Sequence, residues 1–159
     1  MKEEAPDFKL FSSPLIGLLV SRVWQGYGSA IFVEFGKLHS TRTRDGRPGS
    51  PRGEWTLFIE WSWRIEGKRR IWCGSWSDGE RWPRAFARLQ GQAVTSIELV
   101  GRLPEVYLRF ANGLYLASMM TADGDPSWSL IQRRDYASLS MGVCAGRLTL
   151  NGEHADSLS

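Results

Sequence analysis

Cysteine, histidine and long apolar runs are all scarce in this chain, and each scarcity removes a class of protein. Two cysteines in 159 residues, with no Cys-x-x-Cys pair, are too few for a secreted disulfide framework. Cys73 and Cys144 read as reduced thiols. The two histidines, His39 and His154, have no cysteine or carboxylate at ligand spacing, so no metal and no cofactor is expected. The longest aliphatic run, "LIGLLV" (Leu15–Val20), is too short for a membrane span or a signal core. The N-terminal "MKEEAPDFKLF" is acidic where a signal peptide is basic. These features predict a cytoplasmic protein without a membrane partner. Charge of one sign is also missing. There are 20 basic and 17 acidic residues, and neither half of the chain is strongly basic, which argues against a nucleic-acid partner. There is no Gly-x-Ser-x-Gly elbow and no P-loop. "QGYGSA" (Gln25–Ala30) reads as a hairpin loop rather than a phosphate cradle. "TADGDPSW" starts like a calcium loop but lacks the glycine and glutamate that should follow. With so few convergent groups, the chain reads as not an enzyme.

Tryptophan is what the chain has in excess. Five of its eight tryptophans fall in "WTLFIEWSWRIEGKRRIWCGSW", from Trp55 to Trp76. Trp55, Leu57, Ile59, Trp61, Trp63 and Ile65 alternate with Thr56, Phe58, Glu60, Ser62, Arg64 and Glu66. That period of two predicts one long strand over 55–66 with an apolar face. Gly67-Lys68 suits a two-residue hairpin loop. The register that follows would set Glu66 opposite Arg69, Trp63 opposite Trp72, and Ile59 opposite Trp76.

The rest of the chain continues the β pattern. Strands are expected near 17–25, 29–36, 69–77, 93–100, 104–111, 114–120, 127–133 and 146–150, with at most one short helix near 80–90. Turns are expected at Asp45-Gly46, Asp78-Gly79, Asn112-Gly113, Asp123-Gly124 and Asn151-Gly152, with Asn112-Gly113 a type I′ hairpin. Two segments match each other: "LIGLLVSRV" with "LQGQAVTSI", then "AIFVEF" with "EVYLRF". Trp55-Thr56-Leu57 also matches Trp128-Ser129-Leu130. The expectation is a single domain over 1–159 containing an internal duplication of about 14–78 and 88–150. The fold class is then mainly β: an antiparallel sandwich or open barrel built from two pseudo-symmetric β-meander halves. The Gly-, Pro- and Arg-rich stretch over 37–53 reads as a mobile loop inserted in the first copy, and the tail from Glu153 onward as frayed.

The candidate binding residues are Trp61, Trp63, Arg64, Lys68, Arg69, Arg70, Trp72 and Trp76, because tryptophan and arginine are the residue types most enriched where interfaces hold their energy. They support a non-enzymatic protein-recognition module, with an unidentified protein or a second copy of the chain as partner. The first alternative is a β-barrel with a small apolar ligand in a pocket walled by Trp61, Trp63, Trp72 and Trp76. The second is a single-stranded nucleic-acid binder combining the same aromatics with the nearby arginines.

Residues 89–150 also resemble a bacterial family of small β-rich domains of unknown function. The resemblance rests on Leu89-Gln90-Gly91-Gln92-Ala93-Val94, on Phe110-Ala111-Asn112-Gly113, on Trp128-Ser129-Leu130, and more loosely on "CAGRLTL" (Cys144–Leu150). Such domains are similar to immunity proteins, which neutralise a toxin by binding it. The resemblance therefore implies a binding role and brings no catalytic residue.

Overall fold

Residues 5–134 and 137–154 are described by the computed structural model of the chain. The elements run α1 (Phe8–Ser12), β1 (Val20–Gln25), β2 (Ile31–Phe35), β3 (Trp55–Ile59), β4 (Trp63–Glu66), β5 (Ile71–Gly74), α2 (Trp82–Leu89), β6 (Val94–Val100), β7 (Glu105–Phe110), β8 (Tyr115–Ser118), β9 (Trp128–Arg134), β10 (Ala137–Cys144) and β11 (Arg147–His154). They build two antiparallel sheets, β1-β2-β3-β9-β10-β11 and β5-β4-β8-β7-β6. Neither sheet closes on itself, so of the two expected architectures the chain adopts the sandwich. The inward faces supply one core, from Phe35, Leu57 and Trp128 of one sheet to Trp63, Leu108 and Leu116 of the other.

The expected single strand over 55–66 is two strands. β3 lies in the six-stranded sheet and β4 in the five-stranded sheet, and Glu60–Ser62 carry the chain between them. A strand that bends from one sheet of a sandwich into the other keeps the same side chains inward. Trp55, Leu57 and Ile59 therefore face the core from one side, and Trp63 and Ile65 from the other. Unbroken alternation could not reveal the bend.

The hairpin register also differs from expectation. Ile65 pairs with Cys73 and Glu66 with Ile71, with a bulge between them. Gly67 N–H donates to Arg70 C=O at 2.8 Å, so Lys68-Arg69 form the loop tip instead of Gly67-Lys68. Trp63 is accordingly not opposite Trp72, nor Ile59 opposite Trp76.

The chain passes through the same order twice. A helix precedes a three-strand meander, and a hairpin then joins the opposite sheet: α1, β1–β3, β4–β5, and again α2, β6–β8, β9–β10. The contacts between the halves are reciprocal. Gly17 N–H donates to Val94 C=O and Gly91 N–H to Val20 C=O, both at 2.8 Å. Val20 N–H donates to Gln92 C=O at 2.9 Å, and Val94 N–H to Leu18 C=O at 3.0 Å. Gly17 and Gly91 have φ of +92° and +80°, a backbone conformation that strongly favours glycine. In this order β4 and β9 take the same place, and Trp63 and Trp128 each begin the strand that follows the meander.

Other departures have local causes. Helix α1 was not expected; five residues are too few to show a period, and Asp7 caps it by accepting from Leu10 N–H at 3.0 Å. The Asn112-Gly113 turn is a three-residue loop, with Phe110 N–H bonded to Leu114 C=O and positive φ at Gly113 alone. A type I′ turn needs positive φ at both central residues. Where one strand was expected over 146–150 there are two, β10 and β11, joined at Ala145-Gly146, both with positive φ. Asn151-Gly152 lies inside β11 and turns nothing. That strand reaches His154, within the tail expected to fray; residues 155–159 lie outside the described residues. In the loop over 37–53, His39 and Arg52 exchange two backbone hydrogen bonds of 2.7 and 3.0 Å, and Arg42 bridges Pro48. The segment thus runs out and back along itself.

Candidate binding face

The eight residues expected to form the site occupy different surroundings. Trp63 is in the core, 1% exposed, and its indole N–H donates to Ser29 C=O at 2.7 Å. Trp61 is half-buried at the bend, its carbonyl accepting from Ser29 Oγ at 2.7 Å. Trp72 occupies the bulge beneath Arg88, whose guanidinium lies 4.0 Å from the ring centroid, with Arg70 at 5.1 Å. Trp76 is 93% exposed in the turn before α2. Lys68, Arg69 and Arg70 are exposed at the hairpin tip, beside an open depression of about 300 Å³ that Arg64 also lines.

Arg64 belongs to a polar network on the outer face of the five-stranded sheet. It pairs with Glu66, which also accepts from the Tyr107 hydroxyl. Burial first, then the hydrogen bond and charge of Glu66, push the Tyr107 phenol up to about 12. A raised value means that folding favours the protonated phenol. Its contribution to stability is complete below pH 10, the ordinary value, and is lost as the pH rises toward 12. Near-UV titration of tyrosinate should show the Tyr107 ionisation late, and Glu66→Gln should move it back toward 10. An unchanged late midpoint in that variant would mean that Glu66 does not hold the proton.

The outer face of the six-stranded sheet has a different character. Cross-strand pairing sets Trp24, Phe32, Phe58, Ser129, Gly142 and Thr149 in one row across six strands. The first three are aromatic. Trp24 and Phe32 stack at 4.1 Å and 8°, and Phe58 follows at 4.9 Å. Arg52 lies over both Trp24 and Phe32, at 4.6 and 5.0 Å, and Arg22 over Trp24 at 5.1 Å. The three rings are half-buried beneath these guanidiniums, so the ladder shows only part of its apolar surface on the outer side of the sheet.

Beneath the arginines lies a buried carboxylate. Glu34 alternates with Val33 and Phe35 and so points outward, yet it is 0% exposed. It accepts from Trp24 Nε1 at 2.8 Å, from Gly53 N–H at 3.1 Å, and from the Thr56 hydroxyl. Arg52 and Arg133 approach it at 3.7 and 4.0 Å. Burial pushes the Arg133 guanidinium below its usual value; Glu34 opposes that shift and Arg52 adds to it. The returning arm of the long loop covers Glu34. Gly53 is required there, because a Cβ would sit 2.4 Å from Phe35 O. The cluster thus fixes the loop and holds Arg52 over the rings.

Beyond Phe58 the row drops to small residues, and the step forms a groove of about 440 Å³. Phe32, Phe58, Asp125 and Cys144 line it together with Ser129, Gly142 and Thr149. Gly142 has no room for a side chain, since a Cβ would lie 2.4 Å from Trp128 O. Burial pushes the Cys144 thiol up, and the hydrogen bond and charge of Asp125 push it further. Burial also pushes up Cys73. Both sulfurs are therefore held as thiols rather than activated as nucleophiles. Among the described residues no group of three or more His, Cys, Asp or Glu could hold a metal ion, and no helix is long and apolar enough to cross a membrane.

Sequence reasoning did not pick out Trp24, Phe32, Glu34 or Phe58, and it set Asp125 aside with the incomplete calcium-loop pattern. A signal was present. Phe58 is the one large aromatic among the otherwise polar residues that alternate with the apolar set, and Phe32 and Trp24 also take outward positions. No protein-family model, curated protein or solved structure matches the chain.

Proposed function

We propose that the protein is a non-enzymatic recognition module that binds a protein partner through the outer face of its six-stranded sheet. The ladder Trp24–Phe32–Phe58 carries this reading: three aromatics on the solvent side of a sheet, ending at a groove. Aromatic rings have few rotatable bonds, and the buried Glu34 cluster ties down Gly53, next to the arginine above them, so little entropy is lost when a partner docks. Two thiols kept protonated support a role without covalent chemistry. An immunity-type role, in which binding neutralises a toxin, belongs to this reading.

The test uses a phage-displayed random peptide library panned on the full chain. Enriched peptides should bind Phe58→Ala at least about ten-fold more weakly, as expected for a central interface aromatic, and should bind unchanged when Lys68, Arg69 and Arg70 are all alanine. The reverse pattern would move the recognition surface to the hairpin tip and overturn the assignment of the sheet face.

A further inference from the structure

The aromatic row has an open end: Trp24 and Phe32 are stacked within 8° of parallel, and Phe58 beyond them is tilted 39° from Phe32. The ring separations of 4.1 and 4.9 Å match the spacing of about 4.8 Å between neighbouring strands. Each strand in turn contributes one ring standing beside the last. Guanidiniums of Arg22 and Arg52 lie over the Trp24 ring. Among the described residues Phe58 has one aromatic neighbour, Phe32. The next two positions in the row, Ser129 and Gly142, are too small to continue the stack, and the groove lies over them. A planar ring entering there would find the aromatic face that the row does not itself supply. Asp125, just before β9, also lines the groove, exposed and in no ion pair among the described residues. At the other end of the row stand guanidiniums. Asp125 is thus the one charged residue among those lining the groove.

We infer that the groove binds an aromatic side chain followed by a basic residue on a segment of a partner protein. The ring continues the stack beyond Phe58 over Ser129 and Gly142, and the cationic group pairs with Asp125. This rests on the reading of the sheet face as the recognition surface and adds the chemistry of its occupant.

The experiment is an amide-resolved NMR titration of the full chain with two capped tetrapeptides, acetyl-Gly-Trp-Lys-Gly-amide and acetyl-Gly-Trp-Glu-Gly-amide. The lysine peptide should shift the amides of Phe58, Ser129 and Gly142 and bind roughly five- to ten-fold more tightly than the glutamate peptide, the effect of one partly exposed ion pair. Asp125→Asn should bring the ratio to about one. Ser129→Trp, which fills the next place in the stack with the chain's own ring, should abolish binding of both; Thr149→Trp serves the same purpose if the first variant fails to fold. Equal binding of the two peptides, shifts confined to another face, or no binding by either would overturn the proposal. Library-selected peptides that map to the sheet face without an aromatic-basic pair would overturn it too, while leaving the recognition reading intact.

Discussion

Replacing Glu34 with alanine should cost the fold about 3–5 kcal/mol, the usual penalty for removing one member of a buried charge cluster. The carboxylate accepts from an indole N–H, a backbone N–H and a hydroxyl, and faces two guanidiniums. Without it, Trp24 Nε1 and Gly53 N–H lose their acceptor, and Arg52 and Arg133 are left with an uncompensated excess of positive charge. Glu34→Gln keeps the shape but supplies one acceptor oxygen and an amide that points donors at donors, so about 1–3 kcal/mol is expected. Arg52→Ala removes a partly exposed partner at 3.7 Å and should cost under about 1 kcal/mol. Urea unfolding of the three variants gives the order. A Glu34→Ala protein within about 1 kcal/mol of the parent, below the range for a buried pair, would mean that the carboxylate does not anchor the loop. The same variant should disturb Trp24 fluorescence, because Gly53 and Arg52 would no longer be tied to the sheet.

Glu34 also shows where sequence reading stops. In "AIFVEF" the inward set Ile31, Val33 and Phe35 is plain, and it leaves Glu34 as an ordinary outward, solvated residue. The carboxylate is buried because a segment that begins after Phe35 and returns at Gly53 folds back over it, and nothing in the period of two encodes that return. The strand positions and the sandwich were readable because burial imposes alternation on every strand of a two-layer fold. The break between β3 and β4 was hidden for the same reason, since the alternation runs through it unchanged. β10 was missed because Leu139, Met141 and Val143 alternate with serine and glycine, a weaker contrast than aromatic with charged.

The binding face was less legible than the fold because it depends on register between distant segments. Any one strand by itself shows a single outward aromatic: Trp24 in β1, Phe32 in β2, Phe58 in β3. They become a ladder only when β1, β2 and β3 align, and the groove appears only when β9 and β10, from the other half of the chain, lie beside β3. The local density of tryptophan drew attention to residues 55–76 instead. There the indoles serve several ends: Trp63 fills the core, Trp72 packs under an arginine, and Trp76 is left in solvent.

The two buried tryptophans that begin β4 and β9 should behave alike. Trp63 donates its indole N–H to Ser29 C=O at 2.7 Å, just before β2; Trp128 donates to Pro104 C=O at 3.0 Å, just before β7. Each hydrogen bond therefore reaches from one sheet to the other. Each ring is also met edge-on by an aromatic from a helix: Trp82 of α2 lies 5.3 Å from Trp63, and Phe8 of α1 lies 5.8 Å from Trp128. Truncation to alanine removes a fully buried ring and leaves a cavity that the two packed sheets cannot close, so Trp63→Ala and Trp128→Ala should each cost about 3–5 kcal/mol. In a domain whose whole stability is about 5–15 kcal/mol, either loss is a large fraction of the total. The phenylalanine variants keep most of the apolar contact and lose the donor, leaving one buried carbonyl unpaired, and should cost about 1–3 kcal/mol each. The informative quantity is the comparison. If urea unfolding finds one phenylalanine variant severely destabilised and the other unaffected, the two positions are not mechanical counterparts. Matching losses would mean that each half of the chain is pinned to the other by the same device, an indole placed where a strand changes sheets.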